Sequence, residues 1–354
     1  MSQHLKIAIL LSGGVDSSVA ASLLKAEGHV LEAFYIKIWL EDELQHIGEC
    51  PWQEDLDYAH KVCDQLQIPL HIVSLQTEYL DRVVSYTIRE LKEGRTPSPD
   101  IFCNARIKFG AFLEKIPDDF EKVATGHYAR IHDKGSCYQL LRAKDPIKDQ
   151  TYFLSHLNQA QLRRALFPIG SIRKKDVRAY AQQTGLPTKN RKDSQGICFL
   201  GNIKFNEFVR FHLGEQPGDI VDITSSEKLG SHRGYWYHTI GQRHGLGLSG
   251  GPWYVVKKNI EENVVYVSHF DTLHTRKRNA FKIHSPSWIS DAPFDNQDLF
   301  IKIRHGENLI PGRIHKIDNS VYEVSLQAED AGIASGQFAV FYDGENCLGC
   351  GMIT

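Results

Sequence analysis

A buried-strand pattern, "LKIAILL", runs directly into the glycine turn "SGG" and then into a helical pattern over residues 15–27 closed by Gly28. No other stretch limits the fold so strongly. An apolar strand feeding a helix through a tight turn demands a parallel neighbour strand and a right-handed crossover. The connecting residues are Ser12, Gly13, Gly14, Val15, Asp16 and Ser17. Paired glycines let the backbone take positive φ and approach a ligand, and the N–H groups of such a turn form an anion-binding nest at the helix N-terminus. The Walker spacing G-x-x-x-x-G-K-[ST] is absent, so the loop carries no lysine of its own for a γ-phosphate. Asp16 is out of place beside an anion unless a divalent cation bridges it. A second glycine pattern, "GLGLSG" at 245–250, is followed by "PWYVV" instead of a helix and is not read as a dinucleotide fingerprint.

The following segments keep the β-α alternation. "VLEAFYIKIW" and "PLHIVSL" read as strands, "QEDLDYAHKVCDQLQ" and residues 79–92 as helices, and "KVATGHYARI" as a strand entering a loop. A parallel sheet with helices on both faces is expected. Near residue 200 the pattern changes. "FNEFVRFHL" is a short helix, and from about 271 alternating runs such as "LFIKIRH", "GRIHKI", "VYEVSLQ" and "FAVFYDG" predict a small barrel or sandwich. Domains are expected at 1–204, 205–270 and 271–354.

The 354 residues, 42% of them hydrophobic, allow well-buried cores. No apolar run approaches the ~20 residues of a membrane span, and "MSQHLKIA" has no signal-peptide layout, so a cytoplasmic protein is expected. A net charge of −2 announces no polyanion partner, but "RKKDVR" (173–178), "KNRKD" (189–193) and "HTRKRNAFKIH" (274–284) are local basic clusters. They are either solvated faces or nucleic-acid contacts.

Seven cysteines, an odd number and widely spaced, point to free thiols. Cys103 follows "TPSPDIF". With Asp100 as N-cap it is the third residue of a helix, where the dipole favours thiolate. Cys198 follows Lys189, Arg191 and Lys192 on a Ser/Gly-containing loop, again favouring thiolate. An ordinary buried or incidental cysteine is the equally open reading at both positions. Cys347 and Cys350 form C-x-x-C without a second ligand pair, and Cys50, Cys63 and Cys137 read as structural or incidental.

The opening loop resembles the S-G-G-x-D-S signature of the PP-loop ATP pyrophosphatases. Beyond it, "TPSPDIFCNARIKFG", "ATGHYAR", "KDQTYFL", "DSQGICFL", "YHTIGQRHGLG" and "SGQFAVFYDGENCLG" resemble the bacterial tRNA-specific 2-thiouridylase family along nearly the whole chain. The resemblance implies an N-terminal PP-loop domain, a small central domain and a C-terminal β-barrel. It implies ATP, with Mg²⁺, held by Leu10, Leu11, Ser12, Gly13, Gly14, Val15, Asp16 and Ser17, with Ile36 and Gly126 at the adenosine. Cys103 would be the nucleophile, Cys198 the persulfide carrier, and Asp100 the proton handler. Ser98, Pro99 and Asp100 would meet the target base, and His127, Lys148, Asp149, Gln150, Arg304, His305 and Gln337 would contact tRNA. Relatives usually have Met where Ile36 stands, and "CLGGG" where this chain reads "CLGCG". A persulfide-donor protein and a monomeric chain complete the expectation.

Two other classes share the loop. A small-molecule ligase would use it without the cysteines, and a thiol sensor would bind nucleotide without turnover. Release of pyrophosphate that depends on tRNA separates all three.

Overall fold

The computed structural model describes residues 4–38, 52–193, 204–269 and 278–354. Cys50 and Cys198 lie outside them. The first sheet has five parallel strands in the order β3-β2-β1-β4-β7. They are β1 (Lys6–Leu10), β2 (Val30–Lys37), β3 (Leu70–Ser74), β4 (Lys122–Ala124) and β7 (Ala165–Leu166). Strand alternation shares β1 between two cores. Ile7 and Ile9 join the cluster made with helix α1 (Val15–Ala26) and the helices Trp52–Leu66 and Lys174–Gln183. Ala8 and Leu10 join the cluster on the opposite face, built from the helical segments between residues 76 and 164. Both faces of the sheet are therefore covered, as the unbroken apolar strands require.

The expected helix over 79–92 is Gln76–Lys92 with a π-helical turn at Leu80–Val84. The strand expected to enter a loop within "KVATGHYARI" does so after Ala124, but a second strand follows that the expectation lacked. After β4 the chain leaves the parallel sheet and forms an antiparallel hairpin, β5 (Ala129–Asp133) and β6 (Tyr138–Arg142). Its partner is far away in sequence: Leu140 and Leu141 pair with Cys347 and Asn346. The N-terminal half of the chain is thus hydrogen-bonded to the last strand.

The central region holds a helix (Phe205–Leu213) and a four-stranded sheet in the order β10-β11-β8-β9. Its strands are β8 (Gly218–Asp222), β9 (Lys228–His232), β10 (Trp253–Asn259) and β11 (Val264–His269). "GLGLSG" leads into β10 and not into a helix, as expected. The C-terminal strands are β12 (Arg278–Trp288), β13 (Gln297–Lys302), β14 (Ile310–Lys316), β15 (Val321–Asp330), β16 (Phe338–Asp343) and β17 (Asn346–Ile353). They run β12-β15-β14-β13-β16-β17, and pairing of β12 with β17 closes a six-stranded antiparallel barrel. Alternate residues such as Ile283, Ile301, Ile314, Val324 and Phe341 fill its interior.

Candidate functional site

The carboxyl ends of β1, β2 and β4 open on one edge of the parallel sheet, the usual place for ligands in such folds. Ser12–Ser17 leaves β1 there, Ile36 lies in the last turns of β2, and Gly126 follows β4 by two residues. Topology thus gathers three separate sequence segments around one crevice.

The loop is shaped by its own hydroxyls. Ser17 Oγ donates to Gly14 O at 3.1 Å and accepts from the Ser12 N–H at 3.3 Å, while Ser18 Oγ donates to Gly14 O at 2.8 Å. Gly13 adopts φ +72° and presses on the helix Trp52–Leu66, so that a Cβ would stand 2.3 Å from Asp55 O. Gly126 packs on the first turn of α1, where a Cβ would stand 2.5 Å from the Ser17 nitrogen. Arg191 clamps the loop from outside, its Nη1 donating to Gly13 O at 2.9 Å and to Asp55 Oδ1 at 2.7 Å.

Asp16 has a built-in counter-charge. Lys174 Nζ sits 2.7 and 2.8 Å from its two carboxylate oxygens, and Tyr128 Oη donates to Oδ1 at 2.8 Å. The same ammonium lies 2.8 Å from Asp193 Oδ1, and Lys148 Nζ is 2.9 Å from Oδ2. Arg178 also pairs with Asp193. Burial works against the Asp193 charge, yet hydrogen bonds from Lys174, Lys148 and Arg178 hold its carboxyl well below the usual range. These contacts correct the surface reading for part of two basic clusters, whose Arg173, Lys175 and Lys192 stay exposed. Lys174 and Arg178 of "RKKDVR" and Arg191 of "KNRKD" are spent on internal carboxylates and carbonyls beside the crevice.

Cys103 is buried, 2% exposed. Its local setting differs from expectation, because Ser98 is the N-cap and Pro99 the first helical residue, which places Cys103 fifth. There it begins a π-helical stretch, Cys103–Ala111. Proline prefers that first position because its missing N–H costs nothing there. The dipole effect fades within the first turn. Burial therefore dominates and pushes the thiol up to about 11, opposed by Lys108 and reinforced by Asp100. Of the two readings open for Cys103, burial favours the protonated thiol.

Lys108, one of the residues the sequence reading passed over, also acts on His127. Burial and then Lys108 push that imidazole well below its ordinary range, and Thr125 Oγ1 pairs with its Nδ1 at 2.7 Å. His127 is the neighbour of Gly126, so one ammonium exerts its field on both the buried thiol and the edge of the crevice. Asp100 stays half-buried, its carbonyl accepting from Asn104 Nδ2 at 3.1 Å; the Ser98 N–H donates to Tyr86 Oη at 3.3 Å.

The barrel meets this helix directly. Phe338 packs edge-on against Phe102, with centroids 5.6 Å apart, and Gln337 immediately precedes it at the start of β16. His305 lies over Phe153 at 4.4 Å. Arg304 makes a two-pronged pair with Asp330, at 3.0 and 2.7 Å. Among the expected tRNA contacts, Asp149 departs most. It is 1% exposed and locked to the buried Lys302 at 3.1 Å, so its carboxylate does not reach the surface. Gln150 is engaged with the Tyr128 backbone, accepting from its N–H through Oε1 at 2.9 Å. Cys347 and Cys350 are fully buried in β17, where Ser155 bonds the Cys350 thiol. Cys63 is buried in its helix and pushed up to about 12 by burial.

Lys174, Tyr128 and Asp193 were equally missed as site residues. Their signal was faint, since a lysine in a basic run and a tyrosine in a strand acquire meaning only when folding brings Asp16 to them.

The comparisons with known proteins agree along the whole chain. The tRNA methyl transferase HUP domain profile matches residues 5–202, its PRC-barrel domain residues 206–269, and the aminomethyltransferase beta-barrel domain residues 278–353. A tRNA-specific 2-thiouridylase MnmA of Parabacteroides distasonis is 45% identical, covering 99% of each chain. An enzyme of the same name, numbered 2, from Bacteroides fragilis is 45% identical over 98% of this chain and 99% of its own. That of Porphyromonas gingivalis is 42% identical over 98% and 99%. Identity of this degree over essentially full length means that the chain belongs to the tRNA-specific 2-thiouridylase family.

Proposed function

We propose that this chain is an ATP-dependent tRNA-uridine 2-sulfurtransferase acting on the wobble base of the anticodon. The observation that carries the reading is the phosphate loop Ser12–Ser17 at the carboxyl end of β1, in a chain 45% identical over essentially its full length to a tRNA-specific 2-thiouridylase. A nucleotide activated in the crevice and a base presented beside Asp100 would meet there.

ATP would lie with its phosphates on Ser12–Ser17 and its adenosine between Ile36 and Gly126. Uridine leaves its stack most cheaply in a single-stranded loop. Its 2-oxygen attacks the α-phosphate, the α–β bridge breaks, and pyrophosphate departs against the loop N–H groups. The terminal sulfur of a Cys198 persulfide then bonds to C2. The Cys103 thiolate, its proton passed to Asp100 in this reading, attacks Cys198 Sγ and breaks the S–S bond. The resulting thiolate at C2 expels AMP, leaving 2-thiouridine and a Cys103–Cys198 disulfide. A two-electron thiol reductant restores both cysteines, and a persulfide-carrying protein reloads Cys198.

Arg304, His305, Gln337, His127, Lys148 and Gln150 are assigned to the RNA face, and the catalytic unit is a monomer in the cytoplasm. Among the described residues no helix is long and apolar enough to cross a membrane. The same residues contain no group of three metal-ligating side chains, and both Asp16 oxygens already accept from Lys174, with Oδ1 accepting from Tyr128 as well. These residues do not form a Mg²⁺ site, so the ion would arrive on the nucleotide's phosphates. The decisive experiment incubates the protein with ATP, a persulfide donor, a thiol reductant and unmodified tRNA, followed by nucleoside analysis. 2-Thiouridine together with tRNA-dependent pyrophosphate is expected. Pyrophosphate released without RNA would instead indicate a small-molecule ligase.

A further inference from the structure

A cavity of about 430 Å³ lies between the segment that precedes Cys103 and the central region. One wall is formed by Thr96, Pro97 and Pro99, the other by Trp236, Tyr237 and His238. The exposed Asn206, on the helix Phe205–Leu213, adds to the lining. None of Ser12–Ser17, Ile36 and Gly126 borders this space, so it is not the phosphate-loop crevice.

Its walls are pinned from several sides. The Thr96 N–H donates to Ser335 O of the barrel at 2.8 Å, and Thr96 Oγ1 donates to Thr239 Oγ1 at 3.4 Å. Tyr235 Oη donates to Lys92 O at 2.6 Å, and Tyr237 Oη to Gly214 O at 2.7 Å. The cavity is therefore formed before anything enters it, and its volume falls in the range of small-molecule sites.

The chemistry of the lining selects the occupant. Arg95, the lining's arginine, is already spent on Glu90 and Glu93, which leaves little to attract a phosphate. Two aromatic side chains and two proline rings offer apolar faces to a flat molecule. His238 is 7% exposed, and its Nδ1 is buried with no hydrogen-bond partner among the described residues. A buried polar atom left unpaired is costly, and a ligand that supplies the partner removes the cost. In a neutral imidazole one nitrogen donates and the other accepts, so Nδ1 can meet either kind of group on a base edge. Aromatic faces with a few hydrogen-bonding groups are how unstacked bases of single-stranded RNA are held. Position agrees with chemistry. Pro97 and Pro99 flank Ser98, which is assigned to the target base, so an occupant of this cavity lies next to that base.

We propose that the cavity holds a second unstacked base of the RNA loop, from a nucleotide adjoining the target uridine, packed on Trp236 and Tyr237 and hydrogen-bonded to His238 Nδ1. The proposal rests on the reading of the chain as a tRNA-uridine sulfurtransferase and adds a further part of the RNA that is read.

The test uses the full chain and RNA hairpins that carry the target uridine, either intact or abasic at one of the two adjoining nucleotides. With wild-type protein, one abasic hairpin should bind about 5- to 150-fold more weakly than the intact one, the range of a single stacked base. Equal binding of all three hairpins overturns the proposal, and this arm needs no variant to fold. N206W brings an indole into the cavity from an exposed position. It should weaken the intact hairpin by a similar factor and cause less than a twofold further loss with the sensitive abasic hairpin, because the two changes remove one interaction. Fully additive losses overturn the proposal. So does an N206W that binds every hairpin as wild type does but takes sulfur from a persulfide donor protein more slowly, an outcome that would give the cavity to the donor. Wild-type protein that forms no 2-thiouridine on the intact hairpin with ATP and a persulfide donor would overturn the underlying functional reading instead.

Discussion

Lys302 Nζ lies 3.1 Å from Asp149 Oδ2 with both side chains sealed from solvent, which pins strand β13 of the barrel to the loop following the β5–β6 hairpin. Arg142 and Thr151 complete the carboxylate's shell, Thr151 Oγ1 donating at 2.9 Å to Oδ1. Breaking such a pair strands a charge in the interior and costs about 3–5 kcal/mol. K302M should lose that much in urea unfolding. The K302M/D149N double variant should be more stable than K302M alone, because the orphaned charge is gone. Equal or greater loss in the double variant would mean that the pair is not what holds the two parts together.

Gly13 and Gly126 yield to substitution for different reasons. Alanine at Gly13 combines a left-handed backbone (φ +72°) with a collision 2.3 Å from Asp55 O, whereas at Gly126 the obstacle is steric, 2.5 Å from the Ser17 nitrogen. Neither backbone atom can swing aside as a side-chain tip could, so the loop must shift. G13A and G126A should each weaken ATP binding at least tenfold in a titration with a fluorescent ATP analogue. G135A is the control: its φ is +80° but nothing lies within 4 Å, and it should leave ATP binding unchanged. An undisturbed affinity in G126A would remove Gly126 from the nucleotide pocket.

The parallel sheet and the barrel were legible because their signals are local: apolar strand, glycine turn, helix, then short alternating runs. The β5–β6 hairpin was not, since Leu140 pairs with Cys347 across more than 200 residues and no periodicity announces so distant a partner. The phosphate loop could be read from its glycines. Its counter-charge could not, because Lys174 looks like any lysine in a basic run until the fold sets it against Asp16. Cys103 shows the limit most sharply. Sequence placed it at a dipole that lowers a thiol, and packing of the same helix under the barrel raised it.

That burial sets the reactivity of Cys103. A thiol pushed up to about 11 is almost wholly protonated at neutral pH, and only thiolate attacks. In free protein, alkylation of Cys103 by iodoacetamide should be slow at pH 7.5 and rise with pH toward an inflection near 11. Lys108 pulls the thiol down, so K108M should move the inflection higher and lower the single-turnover sulfur-transfer rate. K108R, which keeps the charge, should restore both. An inflection near 8 in wild type would mean that Cys103 is not buried in solution as it is here.

His238 offers a test of the central region through pH. It is 7% exposed, and burial first, then His232 and Lys258, lowers its imidazole to about 4. An unfolded histidine titrates near 6.5, so the folded form binds its proton later as pH falls. The stability from keeping His238 neutral is complete above pH 6.5 and is lost progressively as pH falls toward 4. The full loss is on the order of 3 kcal/mol. Carboxylates elsewhere also titrate in this range, so the measurement must be differential. Urea unfolding of wild type and H238Q at pH 7 and pH 4.5 isolates this group, because glutamine carries no proton equilibrium. The gap between the two proteins should shift in favour of H238Q by at least 1 kcal/mol on acidification. A gap that stays constant across that interval would mean the imidazole titrates normally, and the packing of His238 against His232, with ring centroids 5.5 Å apart, would then not persist in solution.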